Sequence, residues 1–147
     1  MNLIKNRVNG WLVSLVVTSL VAVSAKSADG DPDVKQEVRN VAAVKLLKAR
    51  KDVSLLYVRG LVCPSCAIGI RVKVGKLPFV DSTRYKRGIE LDTKTQLLTV
   101  ALLPGVKADT KLLGKAIANA GYDPIEWYSL ASEKLESHPF AIAKKSK

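Results

Sequence analysis

Two cysteines, Cys63 and Cys66, are the only thiols of the 147-residue chain, and the stretch CPSC places a proline and a serine between them. Cysteines at this spacing, in a loop between a strand and a helix, can direct both sulfurs at one centre. A helix start nearby also favours the thiolate form. Three uses are open to such a pair: binding a metal ion, exchanging electrons through a disulfide, or holding a structural disulfide.

If the pair binds metal, thiolate sulfur selects a soft ion. We expect one Cu(I) or Hg(II) per chain, held by Cys63 and Cys66 in near-linear coordination. Zn(II) and Cd(II) fit less well, because each would require two further ligands. The sequence offers few, since His138 is the only histidine and stands before a proline in a polar segment, as is typical of a solvated surface side chain.

The segments on either side of the cysteines predict a strand and a helix. VSLLYVRG, residues 53–60, is β-branched and aromatic and closes on a glycine, as a strand that enters a tight loop would. After the cysteines, Ile70, Val74 and Leu77 recur at helical spacing, and Pro78 ends the pattern. The cysteine loop is therefore expected between a strand and a helix.

The next segments predict three more strands and a second helix. GIELD and QLLTVALL flank the polar turn DTKT, which indicates an antiparallel hairpin. ADTKLLGKAIANAG has the spacing of an amphipathic helix that ends at Gly121, with Asp109 or Thr110 as its cap, and DPIEWYSL supplies the last strand. The order predicts an α+β, ferredoxin-like βαββαβ fold: a four-stranded antiparallel sheet with both helices on one face.

The N-terminal region predicts an export signal followed by a linker and a helix. Residues 1–25 begin with basic side chains, continue with a short apolar run and end in small residues at Ala25, which is typical of a cleaved signal peptide. Residues 26–52 contain the breaker-rich stretch SADGDPD and then a helical pattern through Val34, Val38, Val41 and Ala42, expected to lie outside the main fold. We expect a periplasmic or secreted protein that contacts a membrane only through an uncleaved signal.

The C-terminal region and the net charge limit the partners. Residues 129–147 end in AKKSK and predict a basic tail, partly helical or disordered. The formal charge of +11 suits nucleic acid, an anionic membrane face, an acidic protein or simply a solvated surface. Export argues against nucleic acid. Neither a nucleophile elbow nor a phosphate loop is present, so we do not expect an enzyme.

The cysteine loop resembles the signature of the heavy-metal-associated domains, a family found in copper chaperones, metal-transporting ATPases and the periplasmic mercury-binding protein. GLVCPSC matches at Gly60, Cys63 and Cys66, while Leu61 and Val62 stand where the family usually has Met and Thr. The resemblance implies that Cys63 and Cys66 are metal ligands and that Leu61 is a buried side chain that fills the space beneath the loop.

The resemblance continues downstream and covers residues 53–128, about half of the chain. The apolar spacing after the cysteines fits the family's first helix, and ANAGY matches the Ala-Gly-Tyr before its last strand, where Tyr122 would pack beside the metal loop. The resemblance implies an exported metallochaperone or scavenger that exchanges its ion with a metal transporter or another metal-binding protein.

Two other classes remain open. A thiol–disulfide redox protein also carries Cys-x-x-Cys between a strand and a helix. The thioredoxin fold, however, requires a further βαβ unit and a proline at the start of a later strand. In this sequence Pro104 instead follows LLTVALL, in a predicted loop. The third class is an interaction module whose thiols have only a structural role.

Overall fold

The computed structural model describes residues 33–140. Residues 1–32 and 141–147 lie outside this part, and with them the predicted signal and most of the predicted linker. The helices are α1 (Gln36–Ala49), α2 (Ala67–Val74) and α3 (Thr110–Asn119). The strands are β1 (Val53–Arg59), β2 (Ile89–Asp92), β3 (Leu97–Ala101), β4 (Asp123–Ala131) and β5 (Lys134–Pro139). Within the described range, no helix is long and apolar enough to cross a membrane.

The strands form one antiparallel sheet in the spatial order β2-β3-β1-β4-β5. The predicted α+β class is confirmed, and so are the hairpin of β2 and β3 and the helix that begins after Asp109. The Asp109 carboxylate accepts hydrogen bonds from the backbone N–H groups of Lys111 (2.9 Å) and Leu112 (3.0 Å), which caps α3. Gly121 has φ +90° just beyond the helix, a conformation that favours glycine at a helix end.

The predicted count of four strands is wrong, because residues 129–139 continue the sheet instead of forming a tail. β4 runs on to Ala131, and the chain turns through Ser132 and Glu133 and returns as β5. Both turn residues have positive φ, 48° and 67°, as the two central residues of a type I′ hairpin require. Asn-Gly or Asp-Gly is the usual sequence for this turn, so Ser-Glu gave no signal for it.

The two faces of the sheet are covered by different helices, since successive strand residues point to opposite sides. On one face, α2 and α3 pack on Leu56 and Val58 of β1 through Ile70, Val74 and Leu113. The core also includes Ile117, Leu98 and Val100. On the other face, α1 packs on Leu55, Tyr57, Leu97 and Tyr128.

The predicted N-terminal helix is present as α1, but its placement outside the main fold is wrong, because α1 packs on the sheet. Val38 and Val41 are 50% and 73% exposed, whereas Arg39 and Ala43 are buried. The Arg39 guanidinium lies 3.8 Å from the centre of the Tyr57 ring, and Ala43 joins the apolar cluster on that face. Within the predicted pattern, Val38 and Val41 therefore lie on the outer face of α1, while Ala42 packs against the cluster on the sheet.

Candidate functional site

The cysteine loop lies between β1 and α2, at the end of the sheet where β1 stops. Gly60, with φ +81°, turns the chain out of the strand, and Leu61 is fully buried beneath the loop, in line with the buried side chain predicted there. A short 3₁₀ turn, Pro64–Cys66, leads directly into α2. The proline fixes φ at the first position of this turn, which makes the loop locally rigid.

Cys63 and Cys66 are joined by a disulfide, with their Cα atoms 5.2 Å apart. Both residues are half-buried, and Pro64 and Ser65 between them are exposed. A thiol donor or a partner protein can therefore approach the sulfurs from the solvent side. Reduction by two electrons and two protons would give two thiols already held next to each other by the strand, the turn and the helix.

Two polar groups converge on the sulfur of Cys63. The backbone N–H of Cys66 donates a hydrogen bond to this sulfur over 3.1 Å, and the Ser65 hydroxyl lies 3.2 Å from it. After reduction, donors in this arrangement favour the anionic form of the sulfur, which is both the metal-binding and the nucleophilic form. The sequence reasoning gave Ser65 no role, although its position between the cysteines is the signal that could have suggested one.

The chain around α2 adds a positive electrostatic environment. Residues 67–88 carry six lysines and arginines but only one acid, Asp81. Hydrogen bonds from the hydroxyl and the backbone N–H of Thr83 lower the pKa of the Asp81 carboxyl, so it stays charged to more acidic pH. Of these basic residues, Arg71 and Lys86 line a surface pocket together with Pro64 of the cysteine loop, so positive charge beside the loop favours an acidic surface on any protein that approaches it.

The single histidine is not at this site. His138 belongs to β5, stacks on the Trp127 ring at 4.0 Å between centroids and lies within 2.8 Å of the Ser129 hydroxyl. Its side chain is 35% exposed, so the expected fully solvated histidine is instead held on the sheet. Tyr122 precedes Asp123, whose pairing with Arg59 places it at the same end of the sheet as the cysteine loop, and its partly buried side chain packs against the core of α2 and α3.

Among residues 33–140, no group of three or more His, Cys, Asp or Glu side chains could hold a metal ion. Within the described part of the chain, the ligands of an ion at the cysteine loop would be the two sulfurs of Cys63 and Cys66. This donor set fits the predicted soft ion with two ligands, which would be a cargo of the protein and not a built-in cofactor.

Comparison with known proteins gave no match: no family model, curated protein or solved structure is similar to the chain. The resemblance to heavy-metal-associated domains therefore depends on the residues of the cysteine loop, on the apolar spacing and the ANAGY stretch downstream, and on the order of the surrounding elements.

Proposed function

We propose that the protein captures one soft metal ion through Cys63 and Cys66, after reduction of their disulfide by a thiol donor, and passes it to another protein. The observation that carries the proposal is the position of the half-buried pair between β1 and α2, with the Cys66 N–H directed at the Cys63 sulfur. Two thiolates make a site with open coordination positions, so an incoming thiolate can bind the ion before the first sulfur leaves.

The arrangement of the elements supports a finer fold assignment. The segment from β1 to β4 has the chain order β1-α2-β2-β3-α3-β4 and the spatial order β2-β3-β1-β4. We assign it to the ferredoxin-like fold of the heavy-metal-associated domains, with α1 and β5 as additions. In this assignment the cargo is Cu(I) or Hg(II), and the exchange partner is a metal transporter or another metal-binding protein.

A competition titration with Cu(I), under reducing conditions and against a Cu(I) chelator, tests the proposal. Cys63→Ser and Cys66→Ser should each lose affinity by orders of magnitude, because one remaining thiolate cannot chelate. His138→Ala is the matched control and should bind like the parent. If the double cysteine variant holds Cu(I) as tightly as the parent, the ion binds elsewhere and the proposal is wrong.

The Cys63–Cys66 disulfide favours a second function, thiol–disulfide exchange. In that reaction a substrate dithiol transfers two electrons and two protons to the disulfide, and the protein leaves with two thiols. A steady-state insulin-reduction assay separates the two functions. The metal proposal expects no more activity than a free dithiol gives, whereas sustained turnover that disappears in Cys63→Ser would favour the redox function.

The site of action is also part of the proposal. We assign the protein to the periplasm or the extracellular space, after cleavage near Ala25, on the charged start, short apolar run and small residues of the first segment. N-terminal sequencing of exported protein should begin near Lys26. Recovery of a membrane-bound product that retains Trp11 would overturn this assignment.

A further inference from the structure

The surface pocket beside the cysteine loop lies between α2 and the edge strand β2, and its volume is about 330 Å³. Its walls come from Pro64 of the loop, Arg71 of α2, the segment after α2, and β2 with the turn that follows it. This volume is at the small end of the range for small-molecule sites. Pro64 is bonded to Cys63, so a molecule in the pocket lies beside the Cys63–Cys66 disulfide.

Arg71 brings an unsatisfied hydrogen-bond donor to the pocket wall. Its Nε–H is buried and has no hydrogen-bond partner among residues 33–140. A buried donor on a charged group is costly to leave without a partner, so an acceptor that binds this guanidinium gains free energy. An anionic acceptor gains the most, because hydrogen bonds between ionised groups are roughly twice as strong as neutral ones.

The charges around the pocket leave its wall positive. Arg71 and Lys86 line the pocket, and neither forms an ion pair within the described part of the chain. Glu90 also lines it, but the Glu90 carboxylate is paired with Arg50. Asp92, the next acid of β2, accepts hydrogen bonds from the turn that follows and does not line the pocket. Even if Glu90 is counted without Arg50, two cations face one carboxylate, so the pocket selects an anion.

The disulfide next to the pocket selects the reactive group of that anion. A thiolate, RS⁻, attacks one sulfur of the disulfide, the S–S bond breaks, and the other sulfur leaves as a thiolate while a mixed disulfide forms. A second RS⁻ attacks the mixed disulfide, leaves as RSSR and frees the remaining protein sulfur. Two electrons have then passed to the protein, and two protons from water complete its two thiols.

From these observations we infer that the pocket binds a small thiol that carries a carboxylate, with the carboxylate at Arg71 and Lys86 and the thiol toward the disulfide beside Pro64. Binding holds the thiol next to the sulfurs, whereas a neutral thiol reacts only by collision. The inference identifies the class of the thiol donor and rests on that step of the proposed function. It concerns the reduction alone and does not depend on which ion the reduced cysteines hold.

Reduction by a charge series of thiols tests the inference. The oxidised full chain, without metal, is mixed with 3-mercaptopropionate, 2-mercaptoethanol or cysteamine, which carry a negative, a neutral or a positive group on similar short chains. Mass spectrometry after alkylation measures the reduced protein. Each rate constant is divided by that of the same thiol with a small uncharged disulfide, which removes differences in thiol pKa and nucleophilicity. The normalised rate should be at least several-fold higher for mercaptopropionate than for mercaptoethanol, and lowest for cysteamine.

Matched substitutions distinguish the pocket from the general charge of the protein. Arg71→Gln should lower the ratio of the mercaptopropionate rate to the mercaptoethanol rate several-fold. Lys86→Gln, outside any helix, should lower it in the same direction, so the test does not depend on one residue of α2. Lys73→Gln removes the same charge from an exposed position of α2 outside the pocket and should leave the ratio unchanged.

Two results would overturn the inference. One is a parent protein that shows no preference for mercaptopropionate, and the other is a Lys73→Gln variant whose ratio falls as far as that of Arg71→Gln. Either result concerns the thiol donor and leaves the Cu(I) titration to decide the metal proposal. Conversely, if the titration fails, the preference among thiols is still measured, because no metal is present.

Discussion

The two faces of the sheet are covered by cores of different chemistry. On the face that carries α2 and α3, the contact consists mainly of aliphatic side chains, and Leu56, Ile70, Leu113 and Ile117 are fully buried. On the face that carries α1, an arginine lies in the contact itself, since Arg39 is only 7% exposed. The first face is stabilised mainly by the close packing of apolar side chains. The second face depends in addition on a buried charge and on hydrogen bonds.

The polar contacts on the α1 face form a connected set. Arg39 lies over the Tyr57 ring and also donates to the backbone carbonyl of Val34. The Tyr57 hydroxyl donates to the Asp33 carboxylate over 2.7 Å, and the Tyr128 hydroxyl donates to Glu126. Burial, together with the neighbouring carboxylate in each case, raises the pKa of both tyrosines above the usual 10.0. The raised pKa values predict that the stability of this face falls at alkaline pH.

The largest effect is expected on the aliphatic face. Leu113→Ala should lower the free energy of unfolding by about 3 kcal/mol, because a fully buried leucine leaves a cavity between α3 and the sheet. The neighbouring Leu112 is 44% exposed, so Leu112→Ala should cost less than about 1 kcal/mol. Urea unfolding followed by circular dichroism measures both. Equal losses would mean that α3 does not pack through Leu113.

A smaller loss is expected for Arg39→Ala on the opposite face. The substitution removes a desolvated cation–π contact with Tyr57 and a hydrogen bond to Val34, together worth about 2 kcal/mol. Lys45→Ala, at an exposed position of the same helix, is the control and should change stability little. If the two variants unfold at the same urea concentration, Arg39 does not hold α1 on the sheet.

The difference between the faces also explains what could be predicted from the sequence. Ile70 and Val74 marked the inner face of α2 correctly, because an aliphatic contact shows itself as hydrophobic periodicity. On α1 the helical pattern ran through Val38, Val41 and Ala42, of which the two valines are exposed and Ala42 packs on the sheet. The burial of Arg39 depends on the ring of Tyr57, a partner in a different element that no local pattern reveals.

The strand β5 and the state of the cysteines were beyond prediction for other reasons. β5 has the sequence KLESHP, which is polar and ends in proline, and its hairpin uses Ser132 and Glu133 in place of the usual turn residues. The position of CPSC between a strand and a helix was predictable from its flanking segments and is confirmed. The disulfide between Cys63 and Cys66 was not predictable, because cysteines at this spacing occur both as free dithiols and as disulfides.

The raised pKa values of the tyrosines predict a loss of stability at alkaline pH. A raised pKa in the folded state contributes stability that is fully present below the unfolded value of 10.0 and is lost as pH rises above it. The urea midpoint should therefore fall from pH 9 to pH 11, and Tyr128→Phe should make this fall shallower. Tyr85→Phe, at a tyrosine that is 38% exposed, is the control. If the urea midpoint of Tyr128→Phe fell as steeply with pH as that of the parent, the loss of stability at alkaline pH would come from other groups.

The smallest effect is expected at the outer face of α1, where Val41→Lys decides between two orientations of the helix. Val41 is 73% exposed, so a lysine there stays in water and the free energy of unfolding should change by less than about 0.5 kcal/mol. Ala43 is fully buried against the sheet, and Ala43→Lys would force a charge into that contact, with severe destabilisation. Urea unfolding of both variants distinguishes the orientations. If Val41→Lys were the more harmful of the two, α1 would pack through its valines, and the polar core described for this face would not exist.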